Sequence, residues 1–184
     1  MSSTPSIMVP LGSKANDFNL YDTVSKSLQS LQELKSDIAT VIMFICNHCP
    51  YVIHIKDEIV RVANDYIPKG ISFIAVSSND IRQYPEDGPE QMNLFAKANN
   101  FPFPYLYDET QQTAKDYDAQ CTPDLFIFNS AMELVYRGQF DDSRPKNDIK
   151  VTGKDVREAL DCILNKQGVN PIQKPSIGCN IKWK

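Results

Sequence analysis

A chain of 184 residues, 42% hydrophobic and 23% charged, has the composition of a soluble globular protein and the length of one domain with a real core. Its net charge of −4, with no basic run, argues against a nucleic-acid partner, and no apolar stretch is long enough to cross a bilayer. Residues 1–18 lack the basic start and apolar core of an export signal, so a cytoplasmic location is expected. In that reducing compartment the five cysteines, at 46, 49, 121, 162 and 179, read as catalytic, metal-binding or buried rather than bridged.

Taken in order, residues 1–15 show little periodicity and read as a loose lead-in. Residues 17–22 alternate polar with apolar, which predicts a short edge strand forming one arm of a hairpin. Ser30 and Glu33 have the spacing of a capping box on a single helical turn. Residues 41–45 (VIMFI) are a buried strand by length and apolarity. Beyond Pro50, the apolar residues Val52, Ile55, Ile59 and Val62 recur at helical spacing, predicting a helix over 50–66 that starts at Cys49 or Pro50 and stops at Pro68-Lys69-Gly70. Residues 71–77 (ISFIAVS) form the next buried strand, parallel to the first through a right-handed crossover.

Residues 80–89 are a polar loop, and residues 90–98 a helix with Met92, Phe95 and Ala96 on one face. One short strand falls within 101–108, and a short helix within 110–119. Leu125 to Phe128 and Leu134 to Gly138 flank a turn and predict a β-hairpin. The last helix lies within 148–165, opening near Thr152 or Gly153, with Cys162 among its core residues. Residues 171–184 have little helical pattern and are expected to lie as a tail over the body. This order predicts a single α/β domain over 1–184, with a central mixed sheet, helices on both faces, a core of about 15–166 and a C-terminal tail over 167–184.

The chemistry concentrates at Cys46-Asn47-His48-Cys49. A thiolate at a helix N-terminus is stabilised by free backbone N–H groups and the positive end of the helix dipole, so this is a design for a reactive cysteine. His48 would act either as a neighbouring cation or as a hydrogen-bond donor to Cys49. His54 falls off that helical face and reads as a surface or partly buried residue.

Strand, loop, Cys-Pro and helix over 41–59, Cys121-Thr122-Pro123 ahead of LFIFN, and the early DFNLYD together resemble the thioredoxin fold and, within it, the AhpC/TSA peroxiredoxins. The segments CNHCPYV, CTPD and PSIGCNIKWK resemble peroxiredoxin-like proteins, and the likeness covers nearly the whole chain. It implies a thioredoxin-like three-layer sandwich with an N-terminal β extension. It also implies a cis proline at Pro123, with Thr122 and Pro123 presenting backbone to the extended chain of a partner. The alternative is a trans proline that merely starts a strand.

Two registers are open. In one, Cys46 attacks and Cys49 resolves, which puts Pro50 a full turn inside the helix. In the other, counted five residues on from Phe44, Cys49 attacks and Cys46 resolves or tunes it. The second is preferred, since it sets Pro50 in the first turn. With Cys49 as the attacking thiol, the threonine and proline positions of the peroxiredoxin motif hold Cys46 and Ile42, and Pro123 stands at its arginine position. Thiol–disulfide exchange is therefore expected ahead of fast peroxide reduction.

Cys121 and Cys179 stand as further redox candidates. The rival to redox chemistry is a zinc or copper(I) site built from Cys46, His48, Cys49 and Cys121 or Cys179; it lacks the second paired spacing usual for structural zinc, so no metal and no bound cofactor are expected. The expected partner is a thiol or disulfide protein, or a small thiol, and the assembly a monomer or homodimer.

Overall fold

The computed structural model describes residues 3–184. Ten strands and five helices follow one another as β1 (Ser3–Pro5), β2 (Asn19–Asp22), β3 (Ser27–Ser30), α1 (Leu31–Leu34), β4 (Ala39–Phe44), α2 (Pro50–Tyr66), β5 (Ile71–Ser77), α3 (Pro89–Ala98), β6 (Tyr105–Tyr107), α4 (Gln112–Asp116), β7 (Cys121–Thr122), β8 (Asp124–Asn129), β9 (Leu134–Gly138), α5 (Lys154–Leu164) and β10 (Ile177–Asn180). Seven strands make one mixed sheet in the order β3-β2-β6-β5-β4-β8-β9. β4 pairs in parallel with β5 and antiparallel with β8, so it is an interior strand of the sheet, next to the central β5.

All of β4 is buried, and its side chains divide between two cores as a strand's alternation requires. Val41 and Met43 face one layer with Val52, Ile55 and Ile59 of α2 and Val156 and Leu160 of α5. Ile42 and Phe44 face the other with Leu31, Ala114, Tyr117 and Phe126. Helices thus cover both faces, as the apolar strands predict. Replacing a buried anchor such as Ile59, which is 2% exposed, with Ala would cost about 2–5 kcal/mol.

The capping box at Ser30 and Glu33 forms in full. α2 ends at a 3₁₀ turn, Ile67–Lys69, and Gly70 takes the left-handed conformation (φ 88°) that carries the chain into β5. Three expectations need correction. β2 is not an edge strand; its hairpin partner β3 is, because β2 also pairs with β6. The lead-in is not loose, since Ser3–Pro5 pairs with the C-terminal strand. That tail is itself built as a strand, in a second, three-stranded sheet of order β1-β10-β7.

Candidate active site

α2 begins at Pro50, with Cys49 as its N-cap. The missing N–H of Pro50 costs nothing in the first turn, and the sulfur of Cys49 stands at the positive end of a 17-residue helix. Cys46 follows the end of β4, so strand and helix bring both thiols to the same sheet edge. Opposite them lies the loop of β7, where the Thr122–Pro123 bond is cis. The Thr122 carbonyl oxygen is 3.0 Å from Cys49 Sγ, and the Thr122 hydroxyl is 3.4 Å from Cys46 Sγ.

Electrostatics separate the two thiols. Cys49 is lowered to about 5, first by the hydrogen bond from Cys46, against the opposing effect of burial, and further by Cys179, the Thr122 side chain and the Val52 N–H. The Val52 N–H faces the sulfur without closing a capping bond. Cys46 moves the other way, well above the ordinary thiol range, because it holds the shared proton and is buried next to Asp87. Cys179, from β10, is pushed up to about 12 by burial and by its bond to Cys49. Of the two thiols at the start of α2, Cys49 is the one whose pKa falls and Cys46 the one whose pKa rises.

His48 does not hydrogen-bond to Cys49. Its Nδ1 lies 2.7 Å from Asp87 Oδ2, a contact that becomes an ion pair when the ring is protonated, and its ring stacks on Tyr84 at 5.1 Å. Asp87 raises the pKa of His48 against the pull of partial burial. Asp87, wholly buried, also accepts the Asn47 N–H at 2.8 Å and the Asn79 amide at 2.7 Å. Nothing in the polar loop over 80–89 singled out Asp87; the only trace in the sequence is an acidic pair just before Gly88-Pro89. Tyr105 closes the floor, its hydroxyl donating to Asn47 Oδ1 at 3.1 Å, with its own pKa raised by burial.

The other cysteines separate by position. Cys121 is buried, donates to the Pro123 carbonyl at 3.5 Å, and has its pKa raised by burial; it makes no hydrogen bond to Cys49. Cys162 is only half-buried, which corrects its placement in the core: α5 buries Val156, Ala159 and Leu160, and position 162 turns past that face. His54 hydrogen-bonds to Ser143, beside a small cavity that Pro123 also lines.

Ligand atoms of Cys46, His48 and Asp87 lie within 4.8 Å of one another, so Asp87, rather than Cys121 or Cys179, completes the set that could hold a metal. The fit is poor. Two N/O ligands at about 2.0–2.1 Å from one tetrahedral zinc stand about 3.3 Å apart, whereas His48 and Asp87 are at 2.7 Å. Arg137, fully buried on β9, is held by Asp124, Ser6 and the Asp118 carbonyl, so its guanidinium serves the scaffold behind the loop.

No helix among the described residues is long and apolar enough to cross a membrane. The family model described as AhpC/TSA matches residues 11–137. The chain is 57% identical to an uncharacterized conserved protein from Geobacillus kaustophilus, covering 100% of this chain and 97% of that one, with a TM-score of 0.99. It is 44% identical to the hypothetical protein SMc02350 from Sinorhizobium meliloti 1021, covering 98% of each chain, with a TM-score of 0.96. Peroxidoxin BcpB from Mycobacterium tuberculosis, 16% identical and covering 85% of this chain and 96% of that one, has a TM-score of 0.61 and shares the fold. No curated protein matches the chain.

Proposed function

Because the chain belongs to the AhpC/TSA family, we propose that it is a thiol–disulfide oxidoreductase in which Cys49 attacks and Cys46 resolves. What supports this reading is the place of Cys49 as N-cap of α2, beside Cys46 and 3.0 Å from the Thr122 carbonyl of the cis-proline loop, with its pKa drawn down to about 5. The Cys49 thiolate attacks one sulfur of a disulfide, forming a mixed disulfide and expelling a thiolate. Cys46 then attacks Cys49 Sγ, closing a Cys46–Cys49 disulfide and releasing the second thiolate. Its proton leaves towards the Asp87–His48 pair, whose ligand atoms lie within 4.8 Å of that sulfur. His48 acts as a positioning and electrostatic residue, and Thr122-Pro123 lines the attacking sulfur. The electron partner is a thiol or disulfide protein, or a small thiol.

The peroxide reading competes, since the same family includes peroxiredoxins, but the residues around Cys49 favour disulfide exchange. The catalytic positions that would polarise a peroxide hold Cys46 and Pro123, and the buried Arg137 is committed to Asp124. Stopped-flow reduction of a small aromatic disulfide by the reduced protein tests the proposal. A single fast phase that disappears in Cys49→Ser is expected; an unchanged phase in that variant would refute it.

A further inference from the structure

A cysteine that attacks outside disulfides should be exposed, yet Cys49 is 0% exposed and Cys46 1%. What covers them is the chain's own C-terminus. β10 pairs antiparallel with β7, with Cys179 opposite Thr122 and Asn180 opposite Cys121. This is the backbone edge beside the cis proline, where an extended chain would add as a strand. The approach is so close that a Cβ on Gly178 would come within 2.0 Å of the Thr122 carbonyl oxygen and 3.1 Å of the Pro123 nitrogen, so only glycine fits there.

The strand is fastened on both sides. β1 pairs along it from Ser3 opposite Cys179 to Pro5 opposite Ile177. Beyond it the Ile181 N–H donates to the Gln120 carbonyl, and Lys182 bonds through both its N–H and its carbonyl to Asn79 and Asp80. Lys182 also sets its ammonium over Tyr84, the ring stacked on His48. Ile181 is 1% exposed and sits in the second core. At the centre of this strap the buried Cys179 stands opposite Thr122, whose carbonyl oxygen is 3.0 Å from the sulfur of Cys49.

We propose that β10 is a built-in occupant of the docking edge and that Cys179 is a third redox thiol, closing a disulfide with Cys49. The inference rests on the thiol–disulfide reading of Cys49 and extends it. β10 lifts to admit a disulfide, and Cys49 attacks it, forming a mixed disulfide and expelling one thiolate. On the strand's return Cys179 attacks Cys49 Sγ, loses its proton, and the second thiol leaves; one external disulfide is reduced to two thiols as two protein thiols become one disulfide. An outside protein substrate would enter in place of β10 as an extended segment with a small residue next to its cysteine, because the side chain at position 178 has no space.

The test uses the full chain with Cys46→Ser, so that Cys46 cannot resolve, and oxidised glutathione as the probe, with cross-linked peptides mapped after acid quenching. A Cys49–Cys179 disulfide should appear as the Cys49–glutathione adduct decays at least tenfold faster than in Cys46→Ser/Cys179→Ser. Adding Gly178→Ala to the Cys46→Ser chain should lengthen the adduct's life although Cys179 is still present. An adduct that lasts equally long with and without Cys179 overturns the proposal while leaving Cys49 as the nucleophile. Absence of any adduct on Cys49 in either chain overturns the underlying reading as well.

Discussion

The sulfur of Cys49 lies 3.0 Å from the carbonyl oxygen of Thr122, a residue 73 positions further along the chain. As a thiol, Cys49 donates its hydrogen to that oxygen. On ionisation the bond is lost and a lone pair faces the thiolate, so donors elsewhere must outweigh it. Two of the groups that lower its pKa are cysteines and one is the Thr122 side chain itself, so one residue both opposes and favours the charge.

Thr122→Val keeps the carbonyl and removes the hydroxyl at nearly constant volume. It should raise the Cys49 pKa by up to about one pH unit, the worth of one ordinary hydrogen bond. Thiolate absorbance followed against pH measures it. An unchanged or lower value would mean that the hydroxyl serves Cys46 alone.

His48 gives a pH-dependent contribution to stability whose sign is fixed by Asp87. Its pKa is raised in the folded chain, so the stabilisation is fully present below the unfolded value of about 6.5 and is lost as pH rises through the folded one. The stability difference between wild type and His48→Gln should therefore be largest at mildly acid pH and shrink towards alkaline pH. Denaturant unfolding at several pH values tests this; a difference that grows with pH would contradict it.

Peroxide should be a poor oxidant next to a disulfide. At these positions Cys46 offers only a weak S–H donor and Pro123 none, and losing a strong donor to a developing oxyanion costs on the order of a hundredfold or more in rate. Stopped-flow oxidation by hydrogen peroxide should be slower than oxidation by a small aromatic disulfide by about that factor. Equal or faster peroxide oxidation would show that other groups polarise the peroxide.

Metal removal should change little. His48 and Asp87 stand 2.7 Å apart, and both Asp87 oxygens already accept hydrogen bonds. Incubation with a strong chelator is expected to leave both melting temperature and thiolate titration unchanged. A fall of several degrees, restored by zinc, would favour a metal centre on Cys46, His48 and Asp87.

Much of this was legible because it is local. The period of Val52, Ile55, Ile59 and Val62, and Cys49-Pro50 at their start, predict α2 and put a cysteine at its N-cap. The apolar run at 71–77 predicts β5, and Ser30 with Glu33 predicts the capped turn of α1. The misses are pairings between distant segments. Ile177, Cys179 and Ile181 do alternate like a strand, but nothing local says that this strand lies between Ser3–Pro5 and Cys121–Thr122. Asp87 looks like any acidic loop residue until the loop folds over His48. Cys162 was misplaced by a fraction of a helical turn, the margin that separates the buried face of α5 from its flank.

The central claim is that Cys49, and not Cys46, is the ionised sulfur, and a thiolate titration by ultraviolet absorbance on wild type, Cys46→Ser and Cys49→Ser tests it without requiring access to the buried site. Wild type should show one thiolate forming near pH 5. That step should vanish in Cys49→Ser and persist in Cys46→Ser, moved upward because the strongest donor has been changed. If the acidic step instead survives in Cys49→Ser and is lost in Cys46→Ser, Cys46 is the nucleophile and the roles of the two thiols are reversed.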